Sequence, residues 1–142
     1  MERVRMLEKV IFTETDIKIT QISRELRLSK GLVSKYVRIL MGEGILSKVH
    51  GKFRVKDSIV VKTARIMLTL SSVDWSFLKA YKFVKATGIY GSSIKGTNRE
   101  DSDIDVWIRI GKASQEEMAQ LNDILKKKDR RISIIFLTDE KL

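Results

Sequence analysis

At 142 residues, with 43% hydrophobic and 32% charged side chains, the chain has the size and composition of one ordinary folded domain or two small ones, which excludes a disordered chain. It contains no cysteine and a single histidine, His50, so disulfides and thiolate metal sites are excluded and a catalytic metal is expected to be a hard, oxygen-binding ion. The formal charge of +10 favours a polyanionic partner, with nucleic acid as the leading candidate.

The distribution of charged and apolar residues bears on partner and location. Both parts of the chain are basic, with 13 basic and 7 acidic residues through Asp57 and 15 basic and 11 acidic residues beyond it. No apolar run approaches the roughly 18 residues that a membrane-spanning helix needs, and the charged start of the chain is unlike a secretory signal. We therefore expect a cytoplasmic protein that does not cross a membrane.

The first 57 residues show helical hydrophobic spacing, followed by a segment in which apolar and polar residues alternate. Thr20 and Ser29 are suited to cap helices, and the glycine at Gly51 is typical of a tight hairpin turn. The predicted elements are a first helix over residues 2 to 14, a second from Thr20 to Leu26, a third from Ser29 to Gly42 or Gly44, and a hairpin over 45 to 55.

This order of elements over residues 1–57 resembles the winged helix-turn-helix family of transcription regulators. In that family the third helix enters the major groove of DNA and the hairpin, or wing, reaches the phosphate backbone. The resemblance implies that DNA is contacted by Lys30, Ser34, Lys35 and Arg38 on the third helix and by Lys48, Lys52 and Arg54 on the wing. Two other interpretations remain open: the basic residues form a solvated surface, or the winged helix docks a protein.

Beyond Asp57 the hydrophobic pattern changes from helical spacing to short apolar runs. A strongly apolar helix from Ile59 to Leu70 is predicted to connect the two parts of the chain and is a candidate surface for a homodimer. The elements predicted after it are a helix over residues 73 to 82, strands over 86 to 90 and 104 to 110, a helix over 114 to 127, and a strand over 132 to 137. The chain is therefore predicted to be α+β, with domains at residues 1–57 and 72–142 joined by a connecting helix at 58–71.

Two aspartates stand two residues apart in the apolar run from Ile104 to Ile110, because Asp103 precedes it directly and Asp105 lies within it. On a strand they project from the same face, about 6.6 to 7 Å apart along the backbone. At an effective dielectric near 20, such carboxylates repel each other by roughly 2.5 kcal/mol. A divalent cation such as Mg²⁺, which prefers oxygen ligands and leaves room for substrate phosphates, offsets that cost.

Gly91 and Ser92 follow directly on the apolar run that ends at Tyr90. A glycine at the end of a strand lets backbone amides approach a ligand closely. Exposed amides and a serine hydroxyl at such a position are typical of phosphate binding. This pair therefore predicts a phosphate site next to the two aspartates.

The arrangement of apolar strand, Gly-Ser, a loop of about ten residues and Asp-apolar-Asp-apolar resembles the DNA polymerase beta-like nucleotidyltransferase superfamily, over residues 72 to 142 and closest to its minimal members. The resemblance implies a small mixed sheet with helices. It further implies that Gly91 and Ser92 bind a nucleoside triphosphate, that Asp103 and Asp105 hold Mg²⁺, and that Lys95 neutralises phosphate charge. Minimal members often act with a small helical partner protein, so the acceptor of the nucleotidyl group is left open.

One feature of the family is missing from the sequence, because active members usually carry a third carboxylate on the last strand. Ser133 occupies that place, whereas Asp129, Asp139 and Glu140 flank the strand at its ends. Two functions therefore remain open: a DNA-binding nucleotidyltransferase, or a transcription regulator whose silent second domain serves nucleotide sensing or dimerisation. Trp107 is predicted to share the face of Asp105, where it either lines a pocket or is simply half-buried.

Overall fold

A computed structural model of the chain describes residues 2–138. The chain forms two compact units, Met1–Arg65 and Ile66–Leu142, and the division falls inside the helix Ile59–Ser71. Helices predominate in the first unit and a small mixed sheet lies in the second, which confirms the predicted α+β class. The predicted domain boundaries at residues 57 and 71 flank this same helix and stay a prediction.

Three helices form most of the first unit: α1 (Glu2–Ile11), α2 (Ile19–Leu26) and α3 (Lys30–Gly42). Ser29 caps α3 as predicted, because its hydroxyl accepts a hydrogen bond from the backbone N–H of Leu32 at 3.2 Å. The prediction that Thr20 caps α2 is wrong. The N-cap is Lys18, whose backbone carbonyl accepts the first helical bonds from Gln21 and Ile22, so the cap lies two residues earlier than expected.

The hairpin of the first unit consists of β1 (Leu46–Val49) and β2 (Lys52–Val55), paired antiparallel. His50 and Gly51 both have positive φ, 49° and 78°, which is the conformation of a two-residue turn whose twist matches the strands. Ile17 forms an isolated antiparallel bridge with Phe53, so the segment between α1 and α2 is held against the hairpin. The core below consists of buried apolar side chains from the helices and β1, among them Met6, Val10, Val33, Val37 and Leu46.

The apolar helix that follows is α4 (Ile59–Ser71), close to the predicted range. Within the described residues, no helix combines the length and apolar character needed to cross a membrane. The helix expected over residues 73 to 82 is reduced to a 3-10 turn at Ser76–Ala80. Asp74 explains part of the difference, because its carboxylate accepts a hydrogen bond from the backbone N–H of Ser76 at 2.9 Å and favours a turn over a continuous helix.

The second unit has a three-stranded sheet of β3 (Val84–Ile89), β4 (Ile104–Ile110) and β5 (Ile132–Leu137), with β4 in the middle. The short helix α5 (Gly91–Lys95) follows β3, and α6 (Gln115–Lys128) connects β4 to β5. β3 pairs antiparallel and β5 parallel with β4, so the sheet is mixed as expected. Ser114 and Glu117 form a capping box at the start of α6.

One face of this sheet forms the core of the second unit. Alternate residues of β4 are fully buried, and they pack with the buried side chains Leu121 and Leu125 of α6 and with Ile132 of β5. Because side chains alternate along a strand, the residues between them point to the opposite face. That face carries Asp105 and Trp107 of β4.

Candidate functional site

The face of the sheet opposite the core carries three adjacent rows of side chains, one residue from each strand in each row. Strand register aligns these residues directly, and a backbone hydrogen bond from the N–H of Tyr90 to the carbonyl of Asp105 (3.0 Å) extends the alignment past the end of β3. The rows are Tyr90, Asp105 and Ser133, then Gly88, Trp107 and Ile135, and then Ala86, Arg109 and Leu137. A polar row therefore lies beside two largely apolar ones.

Gly91, which follows Tyr90 of the first row, is in direct contact with Asp105. A Cβ placed on Gly91 would overlap Oδ2 of Asp105 and come within 3.3 Å of its Cγ, so only glycine leaves room for the carboxylate there. Gly91 also has φ of 67°, a left-handed conformation that side chains disfavour. Gly91 of the predicted phosphate site and Asp105 of the predicted carboxylate pair are thus neighbours, whereas Asp103 lies just before β4.

The segment after Tyr90 is helical, which corrects the prediction of a loop. It forms the five-residue helix α5, and the carbonyl of Ser92 accepts hydrogen bonds from the N–H groups of Gly96 and Thr97 at its end. Gly96 closes the helix in a left-handed conformation with φ of 66°. Ser92 is half-buried, whereas Lys95 is exposed in the last turn.

The two aspartates differ in burial, since Asp103 is exposed and Asp105 is half-buried. Within residues 2–138 neither side chain has a hydrogen bond or an ion pair, so their oxygens are available to a ligand. No group of three or more acidic, histidine or cysteine side chains in that range has the geometry of a metal site. Mg²⁺, however, is usually held by one or two carboxylates and completed by substrate phosphates and water, so this pair fits Mg²⁺ delivered with a nucleotide.

The place of the usual third carboxylate is fixed by strand register. β4 and β5 pair in parallel with Asp105 opposite Ser133, so Ser133 is the side chain next to Asp105 on the last strand. The alternative acid Asp129 is engaged elsewhere, because both its oxygens bind Arg131. Asp139 and Glu140 lie outside the described residues.

Residues 75–142 match the family model of Polymerase beta, Nucleotidyltransferase. The match supports the resemblance seen in the sequence for this part of the chain, and it points to nucleotidyl transfer. No family match confirms the winged-helix resemblance of residues 1–57, which stays a prediction. Comparison with the curated proteins and with the solved structures gave no match to the chain.

Within the region that matches the nucleotidyltransferase model, hydrogen bonds of Asp129 and Arg131 connect the start of β5 with the loop at Glu100 and with the start of β4. The backbone N–H and Nε of Arg131 donate to Oδ1 of Asp129 at 2.9 and 3.1 Å, and Nη2 donates to Oδ2 at 2.7 Å. Nη1 reaches the carbonyl of Glu100, and the carbonyl of Arg131 accepts from the N–H of Ile104. Hydrogen bonds from Arg131 hold the pKa of the Asp129 carboxyl below its usual value, and the pair fixes the loop that leads to Asp103.

Two buried polar side chains lie in the segment between Gly91 and Asp103. Ser93 is fully buried, and its hydroxyl has no hydrogen-bond partner among the described residues. Asn98 is 5% exposed; its amide donates to the hydroxyl of Thr69 at 2.9 Å, while its carbonyl oxygen is left without a partner in the same range. The sequence pattern gave no sign of this buried contact, since it joins residues 29 positions apart.

The residues predicted to contact DNA lie on α3 and the hairpin of the first unit. All are exposed except Ser34, which is half-buried. Two of the hairpin cations are already engaged, because Asp16 binds Nζ of Lys52 at 2.8 Å and Nε of Arg54 at 2.6 Å. These two cations lower the pKa of the Asp16 carboxyl, Lys52 contributing most. Lys48 lies 5.6 Å from the centre of the Phe53 ring.

Proposed function

We propose that the second unit binds a nucleoside triphosphate with Mg²⁺ and transfers its nucleotidyl group to an acceptor. The observation that carries the proposal is the contact between Gly91 and Asp105. It brings Gly91 against the carboxylate of Asp105, which supports a phosphate site at Gly91 and Ser92 beside a Mg²⁺ site at Asp103 and Asp105. The family match over residues 75–142 supports the same reaction class.

In this proposal Gly91 and Ser92 hold the phosphates through backbone N–H groups and the serine hydroxyl. Asp103 and Asp105 hold Mg²⁺, which would neutralise charge on the phosphate oxygens when bound. Lys95, one helical turn from Gly91, adds positive charge near the phosphates. An acceptor hydroxyl attacks the α-phosphorus and releases its proton to solvent. Its oxygen forms the new P–O bond, the bond from the α-phosphorus to the bridging oxygen breaks, and pyrophosphate leaves.

A second function has one observation in its favour, which is the serine beside Asp105. A third acid on the last strand would be placed to accept the proton of the attacking hydroxyl, and Ser133 is a poor base. A domain with Asp103 and Asp105 but without that acid is suited to bind nucleotide without turning it over. In that case the second unit senses nucleotide or supports dimerisation for a DNA-binding regulator.

Isothermal titration of ATP, with and without Mg²⁺, tests nucleotide binding for both functions. We expect Mg²⁺-dependent binding to the natural protein and its loss in the double variant Asp103→Asn, Asp105→Asn, which keeps side-chain size and removes both charges. Absence of binding to the natural protein would contradict both the transferase and the nucleotide sensor, and would leave support of dimerisation as the role of the second unit. Release of pyrophosphate in the presence of candidate acceptors then separates the enzyme from the sensor.

For the first unit we propose DNA binding through α3 and the wing. Lys30, Lys35 and Arg38 support it, because they are exposed along a single helix and have no ion pair within the described residues. Arg38→Ala is expected to weaken DNA binding and leave nucleotide binding unchanged, and Asp103→Ala the reverse. Loss of both activities in either variant would argue against two separable sites.

The proposed partners are a second copy of the chain or a small helical protein. Ile59 and Met67 of α4 support this proposal, because they are 78% and 64% exposed although both are strongly apolar. Light scattering, which measures the molar mass in solution, tests the homodimer. The natural protein is expected to be a dimer and the Met67→Lys variant a monomer. A monomer in both would leave the helical partner as the occupant of this helix.

A further inference from the structure

Side chains of the second and third rows, together with Tyr90 of the first, form an apolar groove beside Asp105. Its volume is about 380 Å³, and it is lined by Ala86, Tyr90, Trp107, Arg109, Ile135 and Leu137. Ile135 is 43% exposed, which is high for an apolar residue in the middle of a strand. Tyr90 of the groove is in the same row as Asp105, and Trp107 lies one row further, a step of about 6.6 to 7 Å along β4.

Trp107 forms the floor of the groove because its neighbour on β3 is a glycine. Gly88 pairs with Trp107 across the sheet, and a Cβ placed on Gly88 would come within 2.6 to 2.8 Å of three atoms of the indole. The indole thus occupies the space that a side chain at position 88 would fill. Gly88 has no unusual φ, so this space is the structural reason for a glycine at that position.

Size and position limit what the groove can hold. A cavity of this volume is at the lower end of those that bind small molecules, and an apolar wall with one aromatic platform suits a flat ring. The ring must also lie within reach of phosphates held at Gly91 and Ser92. The base of a nucleoside triphosphate meets all three conditions, since the sugar spans the distance between base and phosphates.

We propose that the Trp107 groove holds the base of the nucleotide, stacked on the indole and flanked by Ile135 and Leu137. The proposal rests on the proposed function of Gly91, Ser92, Asp103 and Asp105 as the phosphate and Mg²⁺ site. Because stacking and apolar contact dominate the lining, the groove distinguishes bases by ring area more than by hydrogen bonding. ATP and GTP are therefore expected to bind alike, and UTP and CTP more weakly.

The test compares Mg²⁺-dependent binding of ATP and of inorganic tripolyphosphate, which has the phosphates and no base. Trp107→Ala is expected to weaken ATP binding about tenfold, the effect of losing one stacked base, and to leave tripolyphosphate binding unchanged. Trp75→Phe is the matched control, because Trp75 lies outside the groove and donates its indole N–H to the carbonyl of Leu70. Ile135→Asn, at an exposed position, is expected to give a smaller loss for ATP alone.

Fluorescence gives a second readout. The chain has two tryptophans, so the Trp75→Phe variant retains Trp107 as its sole indole. ATP is expected to change the Trp107 emission, and tripolyphosphate at saturation to leave it unchanged.

The outcomes separate this proposal from the one on which it rests. Equal weakening of ATP and tripolyphosphate by Trp107→Ala, or no weakening of ATP, would overturn base binding in the groove while the phosphate site stands. If neither ligand binds the natural protein, the phosphate and Mg²⁺ site itself fails, and base binding fails with it.

Discussion

The carboxylate of Asp105 lies against the backbone of Gly91, in the space that a Cβ would occupy at any other residue. The contact joins the residue that follows strand β3 to the middle strand β4, and it is reinforced by the backbone hydrogen bond from Tyr90 to Asp105. A glycine is needed there both for its left-handed φ and for the space beside it. The requirement for glycine is therefore tied to the site and not only to the turn.

Gly91→Ala is expected to abolish or strongly weaken Mg²⁺-dependent nucleotide binding. The new Cβ overlaps Oδ2 of Asp105 and must push the carboxylate away or shift α5. The left-handed φ adds a backbone cost of about 1 to 2 kcal/mol. We expect at least a tenfold rise in the Kd for ATP, measured by isothermal titration, with a modest fall in the free energy of unfolding.

Gly44→Ala is the control for Gly91→Ala. Gly44 has a similar φ, 72°, and a Cβ there would have no heavy atom within 4 Å. It should show a comparable backbone cost and unchanged nucleotide binding. Equal nucleotide affinity in the Gly91→Ala variant and the natural protein would contradict the role assigned to this contact.

Ser133→Asp tests whether the missing third acid limits the chemistry. It puts a carboxylate beside Asp105, where two facing acids raise the need for a cation. We expect Mg²⁺ to increase the affinity for ATP more strongly in this variant than in the natural protein. We also expect faster release of pyrophosphate in the presence of a suitable acceptor. Ser133→Asn, similar in size but uncharged, should change neither quantity.

If Ser133→Asp binds ATP and Mg²⁺ as the natural protein does and releases pyrophosphate no faster, a lost third acid is not what limits turnover. If the natural protein releases pyrophosphate at the same rate as the Ser133→Asp variant, Ser133 is compatible with catalysis.

The spacing of apolar residues predicted most of the fold, because a helix or strand that buries one face has apolar residues at regular intervals along the sequence. The strand pattern placed Asp105 and Trp107 on one face, and the capping preference of Ser29 located the start of α3. The helix at 73 to 82 was overpredicted, since an Asp74 turn interrupts it. Local pattern also missed α5, because five residues beginning with glycine carry too little periodicity to indicate a helix.

The contacts that the sequence could not give are those that depend on register or on distant residues. The pairing of Asp105 with Ser133 follows from the alignment of two strands joined by α6. Asp16 binds side chains on β2, 36 and 38 positions further along the chain, and nothing in the local pattern indicates it. The cations predicted on the hairpin are exposed in the structure. The ion pairs that Asp16 forms with two of them could be seen only in the structure.

Asp129→Asn is expected to lower stability in a pH-dependent manner. Arg131 depresses the pKa of Asp129 in the folded protein below its usual value of 3.8, so the ionised carboxyl stabilises the fold above that pH. This contribution is lost as the pH falls through the folded-state pKa. Urea unfolding at pH 7 should show a loss of about 1 kcal/mol in the variant, because solvent screens this partly exposed pair, and a clearly smaller loss at a pH well below 3.8. An equal loss at both pH values would mean that the charge of Asp129 is not responsible.

Asp16→Asn tests whether the wing contacts DNA. Asp16 holds Lys52 and Arg54 in ion pairs, so its neutralisation frees two cations on the wing for phosphate. If the wing meets the backbone, DNA binding should tighten, and the slope of log K against log salt should steepen by about 0.9 for each added phosphate contact. Fluorescence anisotropy with duplex DNA over a salt series measures both.

Asp57→Asn is the matched control for Asp16→Asn. It removes the same charge from the same unit, but Asp57 pairs with Lys62 of α4 at 2.9 Å and not with the wing. A general increase in positive charge would strengthen DNA binding equally in both variants. A larger gain and a steeper salt slope in Asp16→Asn alone would place the wing at the phosphates, because only that variant changes the number of free cations there. Equal gains would assign the effect to net charge and leave α3 as the proposed DNA surface.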